Sequence, residues 1–192
     1  GLAQGADALA LPRQAIATPL PLLLDADALN LLTIHPVLAE QVRRRAMPTL
    51  LTPHPLEAAR LLGKDAADVQ ADRRHAALAL AMNLNAVTVL KGCGSVIAAP
   101  DGRWFINGSG NPGMASAGMG DVLSGLAATL LAQGWEADLA ALCAVHLHGL
   151  AADLLAGGGI GPAGLTAGET IDAARRLFNA WHNRTLLGRA VE

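Results

Sequence analysis

Tyrosine is absent from this chain, and aromatic residues make up only 3% of it. A core must therefore be filled by Ala, Leu, Val and Ile, which are among the residues most often buried. Cysteine is nearly as scarce. Cys93 and Cys143 cannot form the disulfide framework of a small secreted domain and show no metal-ligand spacing, so a reduced, cytoplasmic setting is expected. Charged residues are 16% of the total and the formal net charge is −2, with no basic stripe. Nucleic-acid binding thus has no electrostatic support. No unbroken apolar run reaches bilayer length: residues 139–155 are interrupted by His146, His148 and Asp153. No membrane partner and no signal peptide are expected.

What is present is apolar and turn-rich: 52% hydrophobic residues, Gly 21 and Pro 10 in 192 residues. That suits a single α/β domain over residues 1–192. The chain opens Gly1-Leu2-Ala3-Gln4-Gly5. Such turns follow a strand in α/β proteins, so an upstream portion of the fold is expected before Gly1.

Apolar bursts alternate with helical stretches, which predicts a mostly parallel sheet flanked by helices. Strands are read at residues 21–24, 49–51 and 86–90, the last rich in β-branched residues. A hairpin is read over 95–99 and 103–106, turning at Pro100-Asp101-Gly102. Helices are read at 36–45, 55–62, 66–84, 121–133 and 139–155, with a last helix capped by Thr166 and Glu169. His54 is the expected N-cap of the second, with Pro55 and Glu57 behind it and Gly63 ending it. Residues 157–161 read as a flexible loop, and Arg43, Arg44 and Arg45 as a solvated helix end.

Four segments carry chemistry. The most informative is residues 107–125, a glycine-rich loop feeding a helix N-terminus. Gly118 and Gly120 allow close backbone approach, and free N–H groups with the helix dipole attract anions. Asp121, in the first turn, is placed to take a proton from a substrate hydroxyl. The structural alternative is that Asp121 only favours the dipole. Lys91-Gly92-Cys93-Gly94-Ser95 follows a strand and offers a cation, glycines and a hydroxyl to phosphate or ribose; otherwise it is a tight strand-to-hairpin link. Thr52-Pro53-His54-Pro55 puts His54 toward a substrate, or serves capping alone. Asp25-Ala26-Asp27-Ala28-Leu29-Asn30 offers two acids for a hydrated Mg²⁺ or a ribose, or is a helix-start cluster. His146 and His148 lie two apart on a helix and make a poor metal pair. All four segments begin where α/β sheets bind ligands.

Residues 25–30, Thr52-Pro53-His54-Pro55-x-Glu57, Lys91-Gly92, Gly110-Asn111-Pro112-Gly113-Met114-Ala115 and Gly118-Met119-Gly120-Asp121-Val122-Leu123-Ser124-Gly125 together resemble the NAD(P)H-hydrate dehydratase family. The likeness is strongest to the bacterial bifunctional form, where an NAD(P)H-hydrate epimerase domain precedes this one. The resemblance implies a ribokinase-like α/β fold, further strands before Gly1, and repair of hydrated NADH and NADPH. ADP (or ATP), with Mg²⁺ on its phosphates, would phosphorylate the hydrate's hydroxyl, and loss of phosphate would restore the nicotinamide ring. ADP is the favoured donor, giving AMP. On this resemblance Asp121 is the catalytic residue and Gly118, Met119 and Gly120 form the anion hole. Lys91, Gly92, Cys93, Gly94, Ser95 and Gly120 contact the nucleotide. Gly1, His54, Asp121, Asp25 and Asn30 face the hydrate, and no protein metal site is implied. The partners implied are the hydrates and the nucleotide, with a homo-oligomer and a fused epimerase domain also expected.

Departures from the usual pattern are Ala3 for Gly, Leu56 for Gly, Ser95 for Thr and Met119 for Thr. Two rival readings stand beside this one: a ribokinase-like vitamin kinase acting on a pyrimidine or thiazole alcohol, and a non-catalytic nucleotide-binding module.

Overall fold

A computed structural model of the chain describes residues 9–189. The expectations for Gly1, Leu2 and Ala3 lie outside the described residues. Among the described residues the sheet has five strands in the order β1-β2-β3-β4-β5: β1 (Leu22–Leu24), β2 (Thr49–Leu51), β3 (Val87–Leu90), β4 (Val96–Ala98) and β5 (Trp104–Ile106). β1, β2 and β3 run parallel, with Leu24 opposite Leu51 and Leu51 opposite Thr88. β4 and β5 form the antiparallel hairpin that the Pro-Asp-Gly turn predicts, and β4 also pairs antiparallel with β3.

Two helical layers cover the sheet. The crossover from β1 to β2 is α2 (Asp27–Ile34) and α3 (Pro36–Arg43), after an initial α1 (Ala10–Ala17). The crossover from β2 to β3 is α4 (Pro55–Leu62), α5 (Ala66–Ala71) and α6 (Arg73–Leu84). The other layer is α7 (Met119–Ala132), α8 (Ala137–Gly157) and α9 (Ala167–Arg189). Alternate strand residues divide between the layers, as the pleat requires. Leu50, Val87, Val89 and Ile97 pack on α7 and α8, whereas Leu24, Leu51, Leu90 and Ala98 face the crossover helices. Among the described residues the fully buried apolar side chains are non-aromatic, with Phe178 and Trp181 packed half-buried against them.

Residues 66–84 form two helices where one is predicted. The chain breaks at Asp72 (φ −139°, ψ 79°), whose carboxylate accepts from His75 N–H and so caps a fresh helix start. The arginine cluster is also corrected. Arg43 and Arg44 bond Glu40 at the surface, but Arg45 turns inward to Thr49 Oγ1 and to the carbonyls of Ile16 and Leu20, tying α1 to β2. At Thr166 only half of the capping box forms: Glu169 accepts from the Thr166 N–H and hydroxyl.

α8 is long and apolar enough to cross a membrane by length and composition. In this fold it lies across β2, β3 and β4 and between α7 and α9, with Ala140, Ala141, Ala144, Ala151 and Ala152 buried. The small side chains let it approach the sheet closely.

Candidate active site

The three parallel strands end side by side, and their following loops are stitched together. Thr52 N–H donates to the Leu24 carbonyl and Lys91 N–H to the Pro53 carbonyl. Side chains reinforce this. Asp25, just past β1, accepts from Lys91 Nζ at 2.8 Å and from Ser124 Oγ at 2.8 Å. One carboxylate thus clasps the ends of β1 and β3 to the first turns of α7. Lys91 and Asp25 are 21% and 16% exposed, so the pair is only partly screened by water.

Gly118 is the N-cap of α7, and its φ of +84° is one that a residue with a side chain adopts only with strain. The helix therefore starts two residues earlier than the sequence predicts. Met119 and Gly120 fall in its first turn with Asp121, where backbone N–H groups lack intrahelical partners. Met119 N–H makes only a long 3.5 Å bond to Ser116. Its side chain is buried against Ala152 and Leu165, leaving the backbone to serve the loop. At Gly120 a β-carbon would lie 3.6 Å from Lys91 Nζ and 3.8 Å from Asp25 Oδ2. Gly120 thus sets the first turn of α7 close beside the Lys91–Asp25 pair. Asp121 is exposed at the rim of a groove of about 530 Å³ that includes Val122, Leu126, Ile171 and Phe178.

The Lys91–Ser95 turn is closed on itself. Ser95 Oγ accepts from Gly92 N–H and donates to the Gly92 carbonyl. Cys93 is exposed and Cys143 half-buried; both are free thiols. Beside the turn, Gly94 lies against Ile106, a wall of a groove of about 440 Å³ formed also by Ile97, Phe105, Asn107, Leu142 and His146.

The other expected site residues are held more locally. His54 caps α4: its Nδ1 accepts from the Leu56 and Glu57 N–H groups, and Glu57 returns a bond to His54 N–H at 2.8 Å. His54 Nε2 lies 3.3 Å from Glu57 Oε1, so both ring nitrogens face the helix start, while the ring stays 46% exposed. Asn30 Oδ1 accepts from Arg60, tying α2 to α4. Asp27 starts α2, while Asp25 is committed to Lys91 and Ser124; the structure does not pair the two acids.

Sequence reasoning missed three supports. Ser124 is four residues from Gly120 on one helix face, a spacing that could have flagged it. Asp153, a charge inside apolar α8, accepts from Gly110 N–H and Asn111 Nδ2 and so anchors the glycine-rich loop. Arg73 bonds the carbonyls of Leu90 and Gly94 at the two ends of the Lys91 turn. His148 is buried with Nε2 unpartnered, and burial pushes its pKa down to about 4. Among the described residues no group of three or more His, Cys, Asp or Glu is gathered for a metal ion.

Fold and site together define a ribokinase-like α/β protein. A solved ribokinase-like superfamily protein from Enterococcus faecalis superposes with a TM-score of 0.73 and 26% identity, over 93% of this chain and 61% of the other. A family model described as NAD(P)H-hydrate dehydratase matches residues 1–168, and the chain belongs to that family. An ADP-dependent (S)-NAD(P)H-hydrate dehydratase from Neisseria meningitidis is 46% identical over 162 residues, covering 84% of this chain and 54% of the relative. A bifunctional NAD(P)H-hydrate repair enzyme from Escherichia coli is 46% identical over 160 residues, covering 83% and 29%. The Bacillus subtilis ADP/ATP-dependent NAD(P)H-hydrate dehydratase, co-crystallized with ATP and Mg²⁺, has a TM-score of 0.80 and 33% identity, over 94% and 62%. The chain thus spans about half the length of the Neisseria relative, 54%.

Proposed function

We propose that this chain catalyses the nucleotide-dependent dehydration of NADH hydrate and NADPH hydrate to NADH and NADPH, with ADP as the favoured phosphoryl donor. The observation that carries it is the Asp25 clasp, which brings Lys91 beside Gly120 and the α7 N-terminus. The names of the Neisseria and Bacillus relatives supply the substrate class and the nucleotide.

Lys91, the Lys91–Ser95 turn and the N–H groups of Met119 and Gly120 suit the nucleotide phosphates. Helix N-termini and ammonium groups supply the positive potential such an anion needs. The groove between β5 and α8 would receive the base: Ile97, Phe105 and Leu142 offer apolar walls, and Asn107 and His146 polar contacts. Mg²⁺ would arrive on the phosphates. When bound, the nucleotide provides the phosphoryl group that turns a hydroxyl into a leaving group. Asp121, one residue past Gly120, would take the proton from that hydroxyl as transfer begins. The first-turn N–H groups would hold the charge that develops on the phosphoryl oxygens. The exposed part of the His54 ring would contact the hydrate. Two free thiols accord with a reducing, cytoplasmic setting.

The test is incubation with NADH hydrate, Mg²⁺ and ADP or ATP, following recovery of reduced-nicotinamide absorbance. Asp121→Asn should slow recovery by about 10²- to 10⁴-fold, the usual contribution of a general base. No recovery with either nucleotide, from protein that binds ADP, would refute the catalytic reading.

A further inference from the structure

Arg73 occupies an awkward place. It is the first residue of α6, where a cation opposes the helix dipole. Its side chain runs to the nucleotide turn instead of to water. Nη2 donates to the Leu90 carbonyl at 3.1 Å and the Gly94 carbonyl at 3.4 Å, and Nη1 to Gln70 Oε1 at 3.3 Å. Nε is buried without a partner. Gly92 lies directly on the guanidinium: a β-carbon there would sit 2.3 Å from Nη1. Gly92 has φ +150°, so the contact and the backbone conformation both call for glycine.

The electrostatics are equally telling. Among the described residues no carboxylate lies within ion-pairing distance of Arg73; its acceptors are two backbone carbonyls and an amide, and the Cys93 thiol on the turn is the titratable group that favours its charge. Burial disfavours the charge, and burial pushes the Arg73 pKa down from its ordinary value. A guanidinium is nonetheless always protonated in proteins. A partly buried cation without a counterion is costly in the free protein and gains when an anion arrives nearby.

We infer that Arg73 is a positioning residue for the nucleotide: by wedging beneath Gly92 and holding both ends of the turn, it sets the presentation of Lys91 and the turn's N–H groups, and its uncompensated charge favours the phosphates above. The inference rests on the proposed nucleotide site. Arg73 acts through the turn that it touches.

The test is calorimetric titration of the wild type, Arg73→Met and Arg73→Lys with ADP and with adenosine, alongside thermal melts. Arg73→Met should weaken ADP binding by about tenfold, through the lost nearby charge and the loosened turn, while adenosine binding changes little. Arg73→Lys, which keeps the charge but not the fork, should recover part of the ADP loss. In turnover assays the nucleotide KM should rise with kcat nearly kept. If the Met variant does not fold, Arg73→Gln replaces it. Equal weakening of ADP and adenosine would reduce Arg73 to a structural brace, and unchanged ADP binding would remove its role altogether. A wild type that binds neither ADP nor ATP overturns the nucleotide site itself, and this inference with it.

Discussion

Replacing Asp25 by Ala removes one carboxylate from a junction of three elements. Lys91 Nζ and Ser124 Oγ each lose an acceptor at 2.8 Å, as does Ala26 N–H. Hydrogen bonds to charged groups contribute about 1.5–3 kcal/mol each, and removing one partner of a fully buried ion pair costs about 3–5 kcal/mol. Lys91 is 21% exposed, so water recovers part of that loss. A destabilisation of about 2–4 kcal/mol is expected. In a chain of this size each kcal/mol lowers Tm by about 2–4 °C, so the variant should melt roughly 5–15 °C below wild type. Asp27→Ala is the control. Asp27 sits in the first turn of α2, where a carboxylate is worth about 0.3–1 kcal/mol through the dipole. Differential scanning calorimetry of both variants, with ADP titrations, separates the cases. Equal losses for the two variants, or an Asp25→Ala melt within about 2 °C of wild type, would refute the clasp as a structural element.

His148, neutral in its buried setting with a pKa near 4, is charged in the unfolded chain below about pH 6.5. The unfolded state therefore binds the extra proton between these values, and stability falls as pH drops through that window, by up to about 3 kcal/mol near pH 4. His148→Gln should flatten this part of the pH–stability curve measured by urea unfolding; an unchanged slope would refute it. Gly149→Ala would press a methyl onto Ser109 Oγ at 2.3 Å and its carbonyl carbon at 2.7 Å. An overpacking cost of about 1–3 kcal/mol is expected, whereas Gly125→Ala, with nothing within 4 Å, should be neutral or stabilising in the same unfolding assay. Cys93 is exposed, while burial pushes the Cys143 thiol up. One thiol should react fast with a chromogenic disulfide reagent, and ADP should slow that reaction if it binds the turn bearing Cys93 as proposed.

The sheet was legible because its strands are short apolar bursts with turn residues between them. His54 was legible as a cap because Pro55, Glu57 and Gly63 stand at the positions capping geometry demands. The break at Asp72 was hidden, since residues 66–84 keep helical composition throughout and only the Asp72 cap divides them. The start of α7 at Met119 was missed because Gly118 reads as loop material until its left-handed φ is known. The glycine-rich segments stand out in the sequence, but their supports do not. Asp25 meets Ser124 across 99 positions and Asp153 meets Gly110 across 43. Such separations carry no local periodicity. Arg73 left one faint trace, a cation at a helix start.

β5 gives the molecule an open flank. Trp104, Phe105 and Ile106 are all exposed, and among the described residues no strand pairs beyond them. Arg103 and Asn107 bond inward to Ala99 and Ser95, so alternation turns the amides and carbonyls of Trp104 and Ile106 outward. That is a rail on which any extended peptide could lie down. Two arginines stand guard over it. Arg74 rests on the Trp104 ring at 5.4 Å, and Arg103 is held by Asp101 and Asp138 at the start of the strand. An incoming strand would have to displace the Arg74 guanidinium from Trp104 and pass the Arg103–Asp101–Asp138 cluster, so access to this rail hangs on side chains remote from the proposed chemistry.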